Sequence, residues 1–247
     1  QAALLGWKPD TARDLVQQGV RTLSGLARRE DGLVGHSIKA DASGLADDRP
    51  DLYDLAFTLY ALAVSSQALE DGSGAIASAR ALLDALDRRL KDRTKGGYAE
   101  TLPPPSRRSQ NPHMHLLEAS LALHRADPEG GHLARASHLI TLFHEKFTAG
   151  PGGLLGEVFA PDWSEGPGDA ARIVEPGHQF EWVWLLNTYA EAIGEPMAPI
   201  AGRLYSFAAS TLDEDGRALL EVSREGIPHD GGRRSWSQSE ALKAHLV

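Results

Sequence analysis

Four polar residues, Asp54, His115, His178 and Glu240, recur along this chain at intervals of about sixty residues, each near the start of a predicted helix. Each is followed by a second helical stretch and a short glycine-rich strand pair, except the last, where the sequence stops. Helix pairs repeated in this way, with no strand long enough for a sheet between them, exclude a doubly wound fold. They leave an α-solenoid or its closed relative, an α/α toroid. In a toroid the inner helices aim their polar N-terminal ends at one cavity; in an open array those ends never meet. A sixty-residue unit is long for a solenoid, whose repeats run nearer 35 to 45 residues, roughly.

The elements follow from periodicity and caps. Residues 10 to 28 predict an amphipathic helix capped by Asp10 or Thr11, with Leu15, Val16, Val20, Leu23 and Leu26 as its buried face. Residues 32 to 51 are rich in Gly and Asp and predict a loop with a short hairpin near 33 to 38. Asp51 caps a strong helix running to residue 69, whose stripe is Leu52, Leu55, Ala56, Leu59, Leu62 and Ala63, and residues 74 to 91 supply an antiparallel partner. A short strand is expected at 96 to 100, and Pro103 to Pro105 forbids regular structure. Asn111 is expected to cap the next helix, with Pro112 at its first position. Then come a helix over 132 to 147, a strand-like stretch over 152 to 159, a helix opening at Glu175, its partner over 196 to 212, a strand over 219 to 222 and a last helix near Trp236.

Composition excludes several classes. No apolar run approaches the roughly 20 residues of a membrane span. A net charge of -9 opposes a nucleic-acid partner, and basic residues cluster only locally, as at Arg107-Arg108 and Arg233-Arg234. The absence of Cys removes disulfides, thiolate metal sites and a Cys nucleophile, and with no leader-like segment it fits a cytoplasmic enzyme. The chain begins at Gln1 rather than Met and stops within an apparent helix at Val247, so both ends are expected to be cut.

The chemistry concentrates at the helix starts. In the stretch from Glu175 to Leu186 a helical period places His178, Glu181 and Leu185 on one face and Phe180 and Trp184 on another. An unperturbed histidine titrates near pH 6.5, so burial or a carboxylate such as Glu181 would move His178 across working pH. That pair suits proton transfer, or it is a structural ion pair. His113 and His115, two apart, point to nearly opposite sides of their helix, whereas Asn111, His115, Glu118 and Ala122 share one. Tyr53, Trp182 and Trp236 add aromatic groups. No Gly-x-Ser-x-Gly elbow and no phosphate-cradling glycine loop is present. Two His-x-x-Glu pairs raise a shared ion, but di-metal bundles use Glu-x-x-His, the reverse order, and no metal is expected. A carboxylate pair for glycoside hydrolysis fits the central histidines poorly.

Three motifs, Asn111-Pro-His-Met-His-Leu-Leu-Glu-Ala119, Glu175-Pro-Gly-His-Gln-Phe-Glu-Trp182 and Trp236-Ser-Gln-Ser-Glu240, together with Asp51-Leu-Tyr-Asp-Leu-Ala-Phe57, resemble the N-acylglucosamine 2-epimerase superfamily, especially its mannose isomerase branch. The resemblance covers nearly the whole chain. It implies an (α/α)6 barrel with short hairpins in its loops, acting without a cofactor on a small-molecule sugar; a homodimer is compatible with it. It implies His178 and His115 as catalytic residues and Asn111, Glu181, Trp236, Glu240 and Tyr53 as substrate contacts. The implied reaction is proton abstraction at C2 of an aldose, a cis-enediol, and return of the proton to C1 in an isomerase or to C2 in an epimerase. The resemblance also places the family's substrate-contacting arginine before Gln1 and a further catalytic histidine beyond Val247. The repeat period agrees, since about four helix pairs are read here against six in a whole barrel of roughly 360 residues. The 247 residues are thus expected to form one partial barrel domain with apolar flanks uncovered at its cut ends.

Overall fold

A computed structural model describes residues 2–247. Eight α-helices dominate the described residues, and the strands are two or three residues long. Contacts divide the chain into two compact units, residues 1 to 105 with 115 to 136, and residues 106 to 114 with 137 to 247.

The first unit opens with α1 (Pro9–Arg21), which winds on into a π-helical turn (Thr22–Leu26). Pro9 takes the first helical position and Lys8 precedes it with no side-chain cap, so neither Asp10 nor Thr11 caps this helix. Its expected buried face is only half-buried: no residue of α1 is fully buried, Val16 and Val20 are half-buried, and Leu15 is 63% exposed. An amphipathic period identifies a face but not what covers it. The short strands β1 (Ser37–Ile38) and β2 (Leu45–Asp47) form the expected hairpin, set later in the loop than the sequence suggested. In α2 (Leu52–Ala68) the Asp51 carboxylate accepts the Tyr53 N–H at 2.9 Å, and the whole predicted stripe is buried. α2 packs on α3 (Ser73–Arg89), whose buried residues include Ala79, Leu82 and Leu86. The strand expected at 96 to 100 is a turn instead. Gly96 and Gly97 both take positive φ, which extended backbone cannot accommodate, and only an isolated Lys91–Tyr98 bridge forms.

In the second unit, β3 (Arg108–Ser109) pairs antiparallel with β4 (Val158–Phe159). β5 (Ile173–Val174), β6 (Glu221–Ser223) and β7 (Pro228–Asp230) form a three-stranded antiparallel sheet. α4 (Asn111–Ala126) starts in this unit, and α5 (His132–Leu142) with its π-helical extension (Phe143–Phe147) ends in it. The central α6 (Pro176–Ile193) packs on both α7 (Ala198–Ser210) and α8 (Ser235–Ala244). Phe143 stacks on Trp182 with ring centres 4.2 Å apart, and Phe147, Phe159 and Trp163 cluster beside them. His113 belongs to that aromatic cluster, 5.2 Å from Trp163, so its role is in packing. Arg108 lies over the Trp163 ring at 4.7 Å. No helix among the described residues is long and apolar enough to cross a membrane.

Candidate active site

β5 delivers the chain to Glu175, which is extended, and Pro176 starts α6 where its missing N–H costs nothing. From Pro176 to Val183 every residue is buried, including His178, Gln179 and Glu181. Burying so many polar groups at one helix start is costly unless each is paired. His178 is paired through Nδ1, 2.9 Å from Glu157 Oε2, with Glu175 Oε2 further away at 3.7 Å. Glu157 Oε2 also accepts from the Gln110 amide at 2.9 Å, and Oε1 accepts the Glu175 backbone N–H at 3.3 Å. Gln110 Oε1 in turn accepts the Trp182 indole N–H at 2.8 Å. The carboxylate hydrogen-bonded to His178 is therefore Glu157, not Glu181 as the helical spacing suggested.

This setting changes the acid–base chemistry. Burial alone pushes the His178 imidazolium toward losing its proton. The charge and hydrogen bond of Glu157, with Glu175 and Glu181 adding, more than offset that and raise its pKa to about 9. Glu175 moves for the opposite reason: burial is the largest cause and raises its carboxyl to about 7, with Glu157 and Glu221 adding to the rise while His178 and Arg234 resist it. Near neutral pH this setting favours the protonated form of His178.

The other predicted residues separate into two groups. Trp236, from α8, lies with its ring centre 5.0 Å from that of His178 and inclined by 34°. Glu240 Oε2 sits 2.6 Å from Lys243 one turn along α8, and Lys243 lies over Trp184 at 4.2 Å. Asn111 is not the helix cap. The Gln110 carbonyl accepts the first helical N–H from Met114, which leaves Asn111 inside the first turn with its Oδ1 buried and unbonded. In the first unit, His115 Nδ1 is 3.2 Å from Glu118 Oε2, and the ring meets Tyr53 and Phe57 at 5.0 and 4.5 Å. Tyr53 and Phe57 are exposed, which leaves an aromatic surface beside His115. Asp54, the first residue of the repeat, is bound to His36 at 2.6 Å.

Ligand atoms of Glu157, Glu175 and His178 lie within 4.8 Å of one another, a spacing that a cation could bridge. Among them Nδ1 of His178 faces Glu157 Oε2, and Gln110 donates into the same oxygen. Sequence reasoning missed both Glu157 and Gln110. The usable signal was a carboxylate inside the apolar run Leu154-Leu155-Gly156-Glu157-Val158-Phe159, a place where a charge must find a partner.

The profile of the N-acylglucosamine 2-epimerase (GlcNAc 2-epimerase) family matches residues 1–247. The chain belongs to this family. It is 34% identical over 249 residues to a mannose-6-phosphate isomerase from Rhizobium meliloti (strain 1021), covering 98% of this chain and 63% of the relative. It is 25% identical over 216 residues to a cellobiose 2-epimerase from Bacteroides fragilis, covering 79% of this chain and 54% of that one. Among solved structures it superposes on a D-mannose isomerase with a TM-score of 0.86 at 21% identity, covering 98% of this chain and 66% of that one. The fold is of the all-α, (α/α)6-barrel class that the family resemblance implied, with short hairpins in its loops. The chain spans 63% and 54% of the length of these two curated relatives.

Proposed function

We propose that the protein is a sugar isomerase that interconverts an aldose and a ketose of the mannose–fructose kind through a cis-enediol, using histidine as acid and base. The observation that carries this reading is His178, buried at the start of α6 and held as a cation by Glu157. In the open-chain aldose, C2 loses a proton while the carbonyl oxygen at C1 gains one; then C1 gains a proton as the C2 hydroxyl loses its own. No redox partner is needed, and an imidazolium supplies the first proton to oxygen. His115 is the other histidine assigned to the reaction, and Asn111, Glu181, Trp236, Glu240 and Tyr53 are assigned to the sugar. A cysteine-free composition suits work in the cytoplasm.

Likeness to a cellobiose 2-epimerase supports a second outcome in which the proton returns to C2. Product analysis separates the two. Incubated with D-mannose, an isomerase accumulates D-fructose, whereas a 2-epimerase accumulates D-glucose. Ketose as the first product is the expected result, and aldose epimer without ketose would transfer the assignment to the epimerases.

A further inference from the structure

Proton direction along the chain Trp182, Gln110, Glu157, His178 is fixed from one end. An indole N–H can only donate, so Gln110 Oε1 accepts, and the Gln110 amide nitrogen necessarily faces Glu157 Oε2 as a donor. The Glu175 backbone N–H, also only a donor, occupies Oε1. Both other contacts of Glu157 are donated to it, so its carboxyl serves as an acceptor, and the hydrogen of its contact with His178 is assigned to Nδ1. All four side chains are buried, Trp182 and Gln110 completely, so water does not compete for these bonds. Glu175 cannot substitute for Glu157: it is 3.7 Å from Nδ1, beyond hydrogen-bond reach.

We propose that Glu157, locked in place by Gln110 and Trp182, is the positioning residue that keeps a hydrogen on His178 Nδ1 in both charge states of the ring, so that Nε2 alone exchanges a proton with the sugar. This rests on the reading of His178 as an acid–base residue and adds what selects its reactive nitrogen. A ring free to turn would present either nitrogen; a ring tied through Nδ1 presents one. The other groups facing His178 cannot set this choice. Glu175 and Glu181 act on its charge at longer range, Glu221 of β6 and Arg234 before α8 act on Glu175, and α8 meets the ring with Trp236.

The test is nitrogen-15 NMR on histidine-labelled protein, with the His178 signals identified by their loss in His178→Asn. In the parent, raising the pH should deprotonate Nε2 and leave Nδ1 protonated. In Glu157→Gln, an isosteric change that keeps an acceptor oxygen, the His178 acid dissociation constant should rise tenfold or more. The alkaline limb of the kcat profile should move by the same interval while KM changes little, and Glu157→Asp should restore part of the shift. A parent whose neutral His178 carries its hydrogen on Nε2, or a Glu157→Gln protein with an unmoved titration, overturns the proposal. The parent measurement decides even where the variant fails to fold. None of these spectra depends on turnover, so absence of ketose from the parent would remove the isomerase reading and leave the proton assignment standing.

Discussion

His178 lies within reach of three carboxylates, yet only Glu157 forms a hydrogen bond to it, and that difference sets a pH dependence that can be measured without substrate. Its pKa is raised from 6.5 to about 9, so the folded state holds this proton more tightly than the unfolded chain does. The stability so gained is fully present below about pH 6.5 and is lost as pH rises through about 9. Glu175, raised from 4.5 to about 7, acts with the same sign in a lower window, losing its contribution as pH rises through about 7. The melting temperature should therefore decline from mildly acidic to alkaline pH. Glu175→Gln should remove the lower window and keep the upper one; a melting temperature flat from pH 5 to 9 in the parent would contradict both shifts. The importance of His178 was legible because histidine, glutamate and tryptophan crowd one helix start. Its partner was not. Glu157 is 21 residues upstream in a glycine-rich loop, and Gln110 is 47 residues before Glu157, so neither contact leaves a periodic trace in the sequence. Asn111 diverted attention from Gln110, because Asn-Pro so strongly suggests a cap.

At the scale of elements, local signals sufficed where a helix carries its own cap and stripe. Asp51 and the Leu52-to-Ala63 stripe specify α2 completely, and Asp51→Ala should cost about 1 kcal/mol in denaturant unfolding. A loss below a few tenths would show that the Tyr53 N–H finds another acceptor. Local signals fell short where a partner decides the outcome. The hydrophobic face of α1 was read correctly as a pattern and wrongly as core, and β3 pairs with a strand some fifty residues on in a register no hairpin turn announces. The α6–α8 crossing shows the same limit. A Cβ on Gly177 would lie 2.7 Å from the Trp236 ring and 2.9 Å from Ser237 Oγ, closer than either can tolerate. Gly177 thus lets the two helices approach until Trp236 faces His178. Gly177→Ala should destabilise by about 1 to 3 kcal/mol through overpacking and should displace Trp236, read as a change in its fluorescence. An unchanged melting temperature and emission spectrum would show that α8 can shift at no cost.

For the whole molecule, the sixty-residue period narrowed the fold to a solenoid or a toroid, because helix pairs repeated without a sheet leave few architectures, and the motifs resembling a known family chose the barrel. Substrate identity was not carried by any such pattern. It depends on where a few side chains meet a sugar, and the relatives named here act on different ones. Chemistry by histidine needs no Lewis acid, so turnover should survive exhaustive dialysis against a chelator. Loss of activity that one divalent ion restores would turn Glu157, Glu175 and His178 into a ligand set. The central claim is that His178 moves the proton, and the most direct measurement is conversion of D-mannose to D-fructose in deuterated solvent by the parent and by His178→Asn. The parent should form fructose labelled at C1, and the variant should melt like the parent while its conversion falls by about a hundredfold or more. Parent-like formation of labelled fructose by His178→Asn would remove His178 from the mechanism.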